Sequence, residues 1–408
     1  MFRSLKEYPR IMWIICIGVA ISAIGESFLW PLTTTYIHVT LGKSLTVATL
    51  VLLLQYTGCL IGNLVGGMLF DRWDGRKTIA LAITGAIVLL LLMSLQLGFV
   101  QYVIFLVLLG ICNGMIWPLQ RALGATLWPE GGRRAMNMIY VANNLGVAIG
   151  AASGGLLASH SFSMAFLGNA LTYAVFLAIF LINIKPTHLI RQKEAQKQRA
   201  AAPAVRVSMR VWASLGAISV GLTVLVITYV QWQTTLSTYV QALGVTMPLY
   251  SFLWTLNGLV IVLGQPILSW ALHKSRLSIQ GQIIIGALIF ILSWMIISST
   301  TAYLGFAIAM CIITVGEMLV WPGVPAIAAE LAPSGREGIF QGIAFSGQSV
   351  GRMIGPLLGG FLYEQHSSDS MILTMTAISV VALGCFLLYG RLGRRSTPHD
   401  VSAAPPSL

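Results

Sequence analysis

Residues 11–37 form an apolar run longer than the roughly 20 residues that cross a bilayer as a helix. Eleven more such runs follow, at 44–70, 78–98, 101–127, 137–159, 163–184, 213–240, 248–271, 279–299, 302–330, 340–362 and 370–390. This succession limits the fold more than any other feature. Lipid cannot satisfy open backbone groups, so only helices and closed barrels cross it. Barrel strands would show alternating segments of about ten residues, and none are present. The expected fold is all-α, with twelve transmembrane helices in two six-helix halves. Charged residues make up 9% of the chain, against about 25% in a soluble domain. The opening MFRSLKEYPR resembles the basic region of a signal peptide. The run behind it is long, contains Glu26 and lacks a small-residue cleavage site, so it is expected to remain as the first helix.

A formal net charge of +12 would suit a nucleic-acid binder, but its placement argues against one. With the N-terminus in the cytoplasm, 21 of the 24 Lys and Arg residues fall on cytoplasmic segments. Lys43 alone falls outside, and Arg121 and Arg352 lie within spans. Lys and Arg gather on the cytoplasmic side of membrane proteins, which places both termini there and makes a bacterial cytoplasmic membrane the expected location. The halves are read as 1–184 and 213–390, joined by a basic linker at 185–212 and followed by a disordered tail at 391–408. The linker is polar and solvated, with contact to anionic lipid expected. The five cysteines all lie in spans and form no CxxC pair, and the six histidines show no ligand spacing. No metal site, cofactor or catalytic motif is expected.

The chain also repeats itself. Trp-Pro stands at 117–118 and again at 321–322, 204 residues later. At that spacing Ala125, Leu127 and Pro129 match Ala329, Leu331 and Pro333. TTYIHVTLG from residue 34 echoes STYVQALG from residue 237. Gly146, Gly150, Gly154 and Gly155 match Gly351, Gly355, Gly359 and Gly360. Six crossings return a chain to the same side, so the halves share one orientation. Parallel repeats of this kind build transporters whose halves rock about a central site. One difference stands out: Asn113 in span 4 occupies the position of Glu317 in span 10.

Between spans 2 and 3 the sequence reads GGMLFDRWDGRK. This resembles the loop signature of the major facilitator superfamily, G-x-L-x-D-R-x-G-R-R-K. Gly67, Leu69, Asp71, Arg72, Arg76 and Lys77 fit, while Asp74 and Gly75 depart from it. The resemblance implies a gating motif that ties the two halves together at the cytoplasmic face. GVAIGAASGG in span 5 resembles the glycine motif of drug:proton antiporters, with Ala151 at the usual proline. Span 11 carries a fuller form, GQSVGRMIGPLLGG, with Gly347, Gly351, Gly355 and Pro356. Small residues four apart allow close helix packing by themselves.

Three ionisable residues lie well inside spans: Glu26, Glu317 and Arg352. A charge at the bilayer centre costs roughly 2.5–3.5 kcal/mol on insertion scales, so such groups face a cavity or a partner. Desolvation favours the neutral form of a carboxyl, which suits a proton carrier. The GEMLVWPGVPAIAAEL segment around Glu317 resembles span 10 of the LmrP-like multidrug antiporters, where the glutamate takes part in proton handling. Of that group's other acidic positions, Ile139 and the region of Gln231 hold none here. Glu317, Glu26 and Arg352 are thus the expected proton-coupling residues. The expected cavity lining is Trp30, Asn113, Trp117, Arg121, Tyr140, Asn143, Asn144, Gln231, Gln233, Trp254, Asn257 and Trp321. Aromatic walls with few carboxylates suit amphipathic or cationic solutes.

The expected function is secondary transport by alternating access: export of such small molecules, driven by a proton gradient. The expected partners are substrate, protons and lipid, with the chain a monomer. A facilitator or symporter for a sugar or amino acid is the alternative within the class. A lipid-modifying intramembrane enzyme is the alternative outside it, and no catalytic constellation supports that reading.

Overall fold

The computed structural model describes residues 9–29, 33, 36–95, 98–184, 207–333 and 335–393. Among these residues twelve long helices follow one another. They are α1 Arg10–Leu29, α2 Leu45–Arg72, α3 Gly75–Met93, α4 Phe99–Leu127, α5 Arg133–His160 and α6 Phe162–Asn183. They continue with α7 Met209–Tyr229, α8 Met247–Ser275, α9 Ile279–Ser298, α10 Tyr303–Val320, α11 Glu337–Gln365 and α12 Ser368–Gly393. Helix α7 runs through a 3₁₀ turn at Val230–Gln233 into Thr235–Ala242. Most of the linker expected at 185–212, most of the tail from 391, and Trp30 lie outside the described residues.

Among the described residues ten of these helices are long and apolar enough to cross a membrane. Helices α5 and α11 are not among the ten, although both were read as spans. In α11 the polar Gln341, Gln348 and Arg352 interrupt the apolar run, and the expected span at 137–159 lies partly outside the residues whose side chains are described.

Helix starts follow short polar side chains that satisfy the orphan N–H groups of a first turn. Ser44, Asp74, Ser161, Ser208 and Ser278 each accept from a backbone N–H just downstream. The repeated Trp-Pro pair acts differently in its two copies. Pro118 sits inside a continuous α4. At Pro322 the helix pauses and restarts as Gly323–Leu331. Proline removes one ladder bond; the second copy adds Gly323 and Pro325, while the first follows with Leu119, Gln120 and Arg121.

Contacts divide the chain into two units, Met1–Arg199 with Ala332–Ser346, and Ala200–Leu331 with Gly347–Leu408. The opening turns of α11 thus belong with the first unit. In the first unit α1 packs on α5 and α6, α2 on α4, and α3 on α4 and α6. Its core buries Met12, Ile83, Leu90, Ile116, Leu119, Tyr173 and Phe180. In the second unit α7 packs on α12, α9 on α10 and α12, and α8 on α10. Trp232, Phe290, Trp294 and Phe306 fill its interior.

The glycines permit the closest crossings. A Cβ on Gly146 would lie 2.2 Å from the Ala20 carbonyl oxygen, and one on Gly150 would lie 2.3 Å from that of Ile24. The second unit repeats the arrangement: Gly351 meets Thr223 O at 2.7 Å, and Gly355 meets Ile227 O at 3.2 Å. Ala20 and Ile24 each stand 203 residues before their counterparts Thr223 and Ile227. The repeat is therefore a repeat of packing, which in lipid relies on close approach rather than on apolar burial.

Candidate functional site

Glu26 lies in the last two turns of α1 and remains half-buried. Two aromatic side chains hold its carboxylate. Trp117 Nε1 of α4 donates to Oε2 at 2.9 Å, and the Tyr173 hydroxyl of α6 lies 2.9 Å from Oε1. The same hydroxyl lies 2.8 Å from Oδ1 of Asn113, one helical turn before Trp117. Arg121, one turn beyond Trp117, brings its positive charge to bear on Glu26. Its guanidinium donates to Trp117 O at 2.9 Å and lies 4.4 Å from the Phe345 ring centre, a cation–π contact. The i, i+4, i+8 spacing of Asn113, Trp117 and Arg121 puts all three on one face of α4. A half-buried carboxylate beside a cation and two aromatic rings can bind a proton or an organic cation.

Glu317 lies near the end of α10 and is buried, at 4% exposure. Tyr229 OH donates to its Oε2 at 3.1 Å, and Asn257 Nδ2 of α8 donates to the same oxygen at 3.0 Å. Asn257 also donates to Thr314 Oγ1 at 2.8 Å. The Tyr229 ring sits among Trp321, Phe290 and Trp254, with centroids 5.2, 6.4 and 6.2 Å away. Phe290 and Trp321 stack at 5.7 Å. The charge of Arg352, half-buried in α11, reaches Tyr229.

The two clusters occupy equivalent places with their carboxylate exchanged. Tyr36 and Tyr239 set the register of α1 on α7 at 203 residues, and in that register Glu26 matches Tyr229. Asn113 matches Glu317, and Trp117 matches Trp321, at 204. The first unit therefore has its acid on the first helix and its amide on the fourth. In the second unit the phenol stands on the first helix of the repeat and the acid on the fourth. In each, the tryptophan of the Trp-Pro pair touches the residue on the first helix.

The end of α2 and the loop after it form a separate site within the first unit. Asp71 Oδ1 accepts from Gly338 N and Oδ2 from Ile339 N, both at 2.8 Å. These N–H groups open α11, where a carboxylate compensates the orphan donors and the positive end of the helix dipole. The backbones come close because Gly67 faces Gly338: a Cβ on Gly67 would lie 2.4 Å from the Gly338 carbonyl oxygen. Arg76 donates to Ile184 O at 2.9 Å and Leu181 O at 3.0 Å, capping the end of α6. Asp74, which departs from the signature, is the N-cap of α3. Arg72 and Lys77 are exposed.

The remaining expected residues are spread more widely. Gln231 is fully buried and donates to Ile227 O and Gly355 O at 2.8 Å, so it fastens α11 to α7. Asn144 donates to Tyr140 O within α5. Asn143, Gln233 and Trp254 are half-buried, and Tyr140 is buried. Gly154 and Gly155 lie in α5, and Gly347 and Pro356 in α11. Sequence reading did not single out Tyr173, Tyr229 or Thr314. Their signal is slight: a tyrosine in an apolar helix looks like core until its hydroxyl partner is known. Among the described residues no three His, Cys, Asp or Glu gather as a metal site.

Comparison with known proteins agrees with this architecture. The sequence profile described as Major Facilitator Superfamily matches residues 15–345 and 283–407. A Bacillus subtilis (strain 168) protein described as the uncharacterized MFS-type transporter YttB is 43% identical, over 94% of this chain and 96% of its own. A second protein from that strain, the uncharacterized MFS-type transporter YqjV, is 23% identical over 93% of each chain. Among solved structures, the human organic anion transporter MFSD10 (TETRAN) superposes with a TM-score of 0.71 at 14% identity. That match covers 93% of this chain and all of the other. The POT family transporter PepTSo gives 0.72 at 15% identity, covering 95% and 99%. At such identities the likeness concerns the fold.

Proposed function

This chain belongs to the major facilitator superfamily and is a multi-pass membrane transporter, and from that premise we propose that it exports amphipathic or cationic small molecules in exchange for protons. The observation that carries the proposal is the exchanged pair of carboxylates. Each unit holds one glutamate within a helix, and each glutamate meets a tyrosine hydroxyl and lies beside a tryptophan of the repeated Trp-Pro pair. A transporter of neutral solutes has no need of an acid in this setting, where placing one costs a few kcal/mol. Proton exchange does need one: a group that changes charge and that substrate and proton bind in competition.

The roles follow from exposure. Glu26 is half-buried beside Trp117 and Arg121, so it is the acid that meets substrate. Glu317 is enclosed by Tyr229 and Asn257 and serves proton coupling, with Arg352 acting through the field at Tyr229. The aromatic groups favour flat and cationic solutes. We place the protein in the cytoplasmic membrane with both termini inside, on the distribution of Lys and Arg.

The test is transport into everted membrane vesicles, using a panel of cationic and neutral dyes with a pH-gradient readout. Dye uptake that collapses the gradient supports exchange. Uptake of every accepted solute without proton movement refutes it and leaves a facilitator.

A further inference from the structure

Tyr173 has a proton-counting problem. Its oxygen lies 2.9 Å from Glu26 Oε1 and 2.8 Å from Asn113 Oδ1. A phenol carries one hydrogen, an ionised carboxylate only accepts, and an amide oxygen only accepts. One hydrogen cannot serve both contacts. Two arrangements resolve this. With Glu26 protonated, the acid donates to Tyr173 and Tyr173 donates to Asn113 Oδ1. With Glu26 ionised, Tyr173 donates to the carboxylate and the Asn113 amide turns over, so that its Nδ2 donates to the phenol. The heavy atoms serve either arrangement, because amide O and N differ only by their hydrogens.

We infer that Tyr173 and Asn113 form a relay that converts the protonation of Glu26 into the orientation of the Asn113 amide. Gain of a proton at Glu26 reverses the direction of donation along the chain Glu26–Tyr173–Asn113. Asn113 then turns a different edge away from the phenol: its N–H₂ donors when Glu26 is protonated, its carbonyl oxygen when Glu26 is ionised. An ionised carboxylate and an outward carbonyl suit a solute bearing a cationic N–H group. A neutral acid and outward amide donors do not. Proton binding therefore changes the hydrogen-bonding character of the site as well as its charge, with no movement of helices. This deepens the proposed exchange and rests on Glu26 titrating.

Arg121 of α4 acts on Glu26 through the field, as do Trp117 and Tyr173 by hydrogen bond. The thiols of Cys112 on α4 and Cys59 on α2 lie near Tyr173. The relay belongs to the first half alone. Phe176 packs on Gly18 as Phe386 packs on Gly221, and in that register Tyr173 matches Leu383. Tyr173 and Asn113 are positioning residues here: they act through Glu26 and through each other.

The experiment is an infrared titration of the full-length chain in lipid nanodiscs. It follows the protonated-carboxyl band that Glu26→Gln removes. Tyr173→Phe takes a donor from the ionised acid. Asn113→Leu leaves the phenol hydrogen without an acceptor when the acid is protonated, whereas with the acid ionised that hydrogen still has the carboxylate, so the ionised form is favoured. The two variants are expected to move the midpoint in opposite directions, each by about one pH unit, the scale of a single hydrogen bond to a charged group. Asn113 does not touch Glu26, so Asn113→Leu is expected to have no effect once Phe stands at 173, a full coupling in the double-mutant cycle. Should Asn113→Leu not be recovered folded, Asn113→Ala enters the same cycle. Shifts of the same sign, an Asn113 effect that persists without the phenol, or a Glu26 band that does not titrate would each overturn the relay. Because no transport is measured, an intact relay with failed proton exchange in vesicles refutes the export reading alone.

Discussion

Glu317→Gln separates binding from coupling. Tyr229 and Asn257 donate to one oxygen of Glu317, Oε2, at 3.1 and 3.0 Å. A glutamine that places its carbonyl oxygen there keeps both contacts. Their strength falls from about 1.5–3 kcal/mol each to about 0.5–1.5 once the acceptor is neutral. The loss at these two contacts is thus about 2–3 kcal/mol if the glutamate is ionised, and close to nothing if it is protonated. Removing a buried charge returns part of its desolvation cost. The variant is therefore expected to fold and to bind substrate. Coupling is another matter. One elementary charge moved across 100 mV is worth about 2.3 kcal/mol, which sustains roughly a fiftyfold concentration ratio. In proteoliposomes with an imposed gradient, the wild type is expected to accumulate dye against its own gradient. Glu317→Gln is expected to lose that whole factor per coupled proton, while dye exchange down a dye gradient continues. Full gradient-driven accumulation with Gln at 317 would remove this residue from the mechanism.

Three further outcomes are expected. Asp71→Asn keeps one acceptor for the N–H groups of Gly338 and Ile339 and turns an amide N–H₂ toward the other, a loss of about 1–3 kcal/mol; transport is expected to weaken severalfold while size-exclusion behaviour is unchanged, and a wild-type rate would refute a role for this contact. Gly146→Leu drives a side chain into the Ala20 carbonyl and is expected to lower the melting temperature in detergent by several degrees, whereas Gly216→Ala, whose Cβ meets nothing within 4 Å, is expected to leave it level or raise it; equal effects would mean that α1 and α5 do not rely on that close approach. Glu26→Gln is expected to cut the affinity of cationic dyes about tenfold and to spare neutral ones, as measured by competition in vesicles, and a uniform loss would assign Glu26 to coupling rather than to substrate charge.

Much of this molecule was legible in its sequence because lipid leaves a chain few choices. Run lengths near 20 residues and the repeats around Trp117 and Trp321 each follow from local chemistry, so they can be read locally. Glycines at a spacing of four announce close packing, and Gly146 and Gly351 provide it against equivalent residues. The carboxylates at 26 and 317 were visible for a related reason: an acid inside an apolar run has few structural explanations. What surrounds them was not visible. Tyr173 lies 147 residues from Glu26, and no periodicity relates the two. Gln231 reads like a cavity amide, yet its partners turn it into a brace between α7 and α11. The exchange of acid and partner between the halves depends on which faces of α1 and α4, or of α7 and α10, meet. Side chains on one helix obey the 3.6-residue period and can be placed from sequence. Which side chain of another helix lies within 3 Å is decided by packing, and here only the tertiary structure joined an acid, a phenol and an amide into one chain of hydrogen bonds.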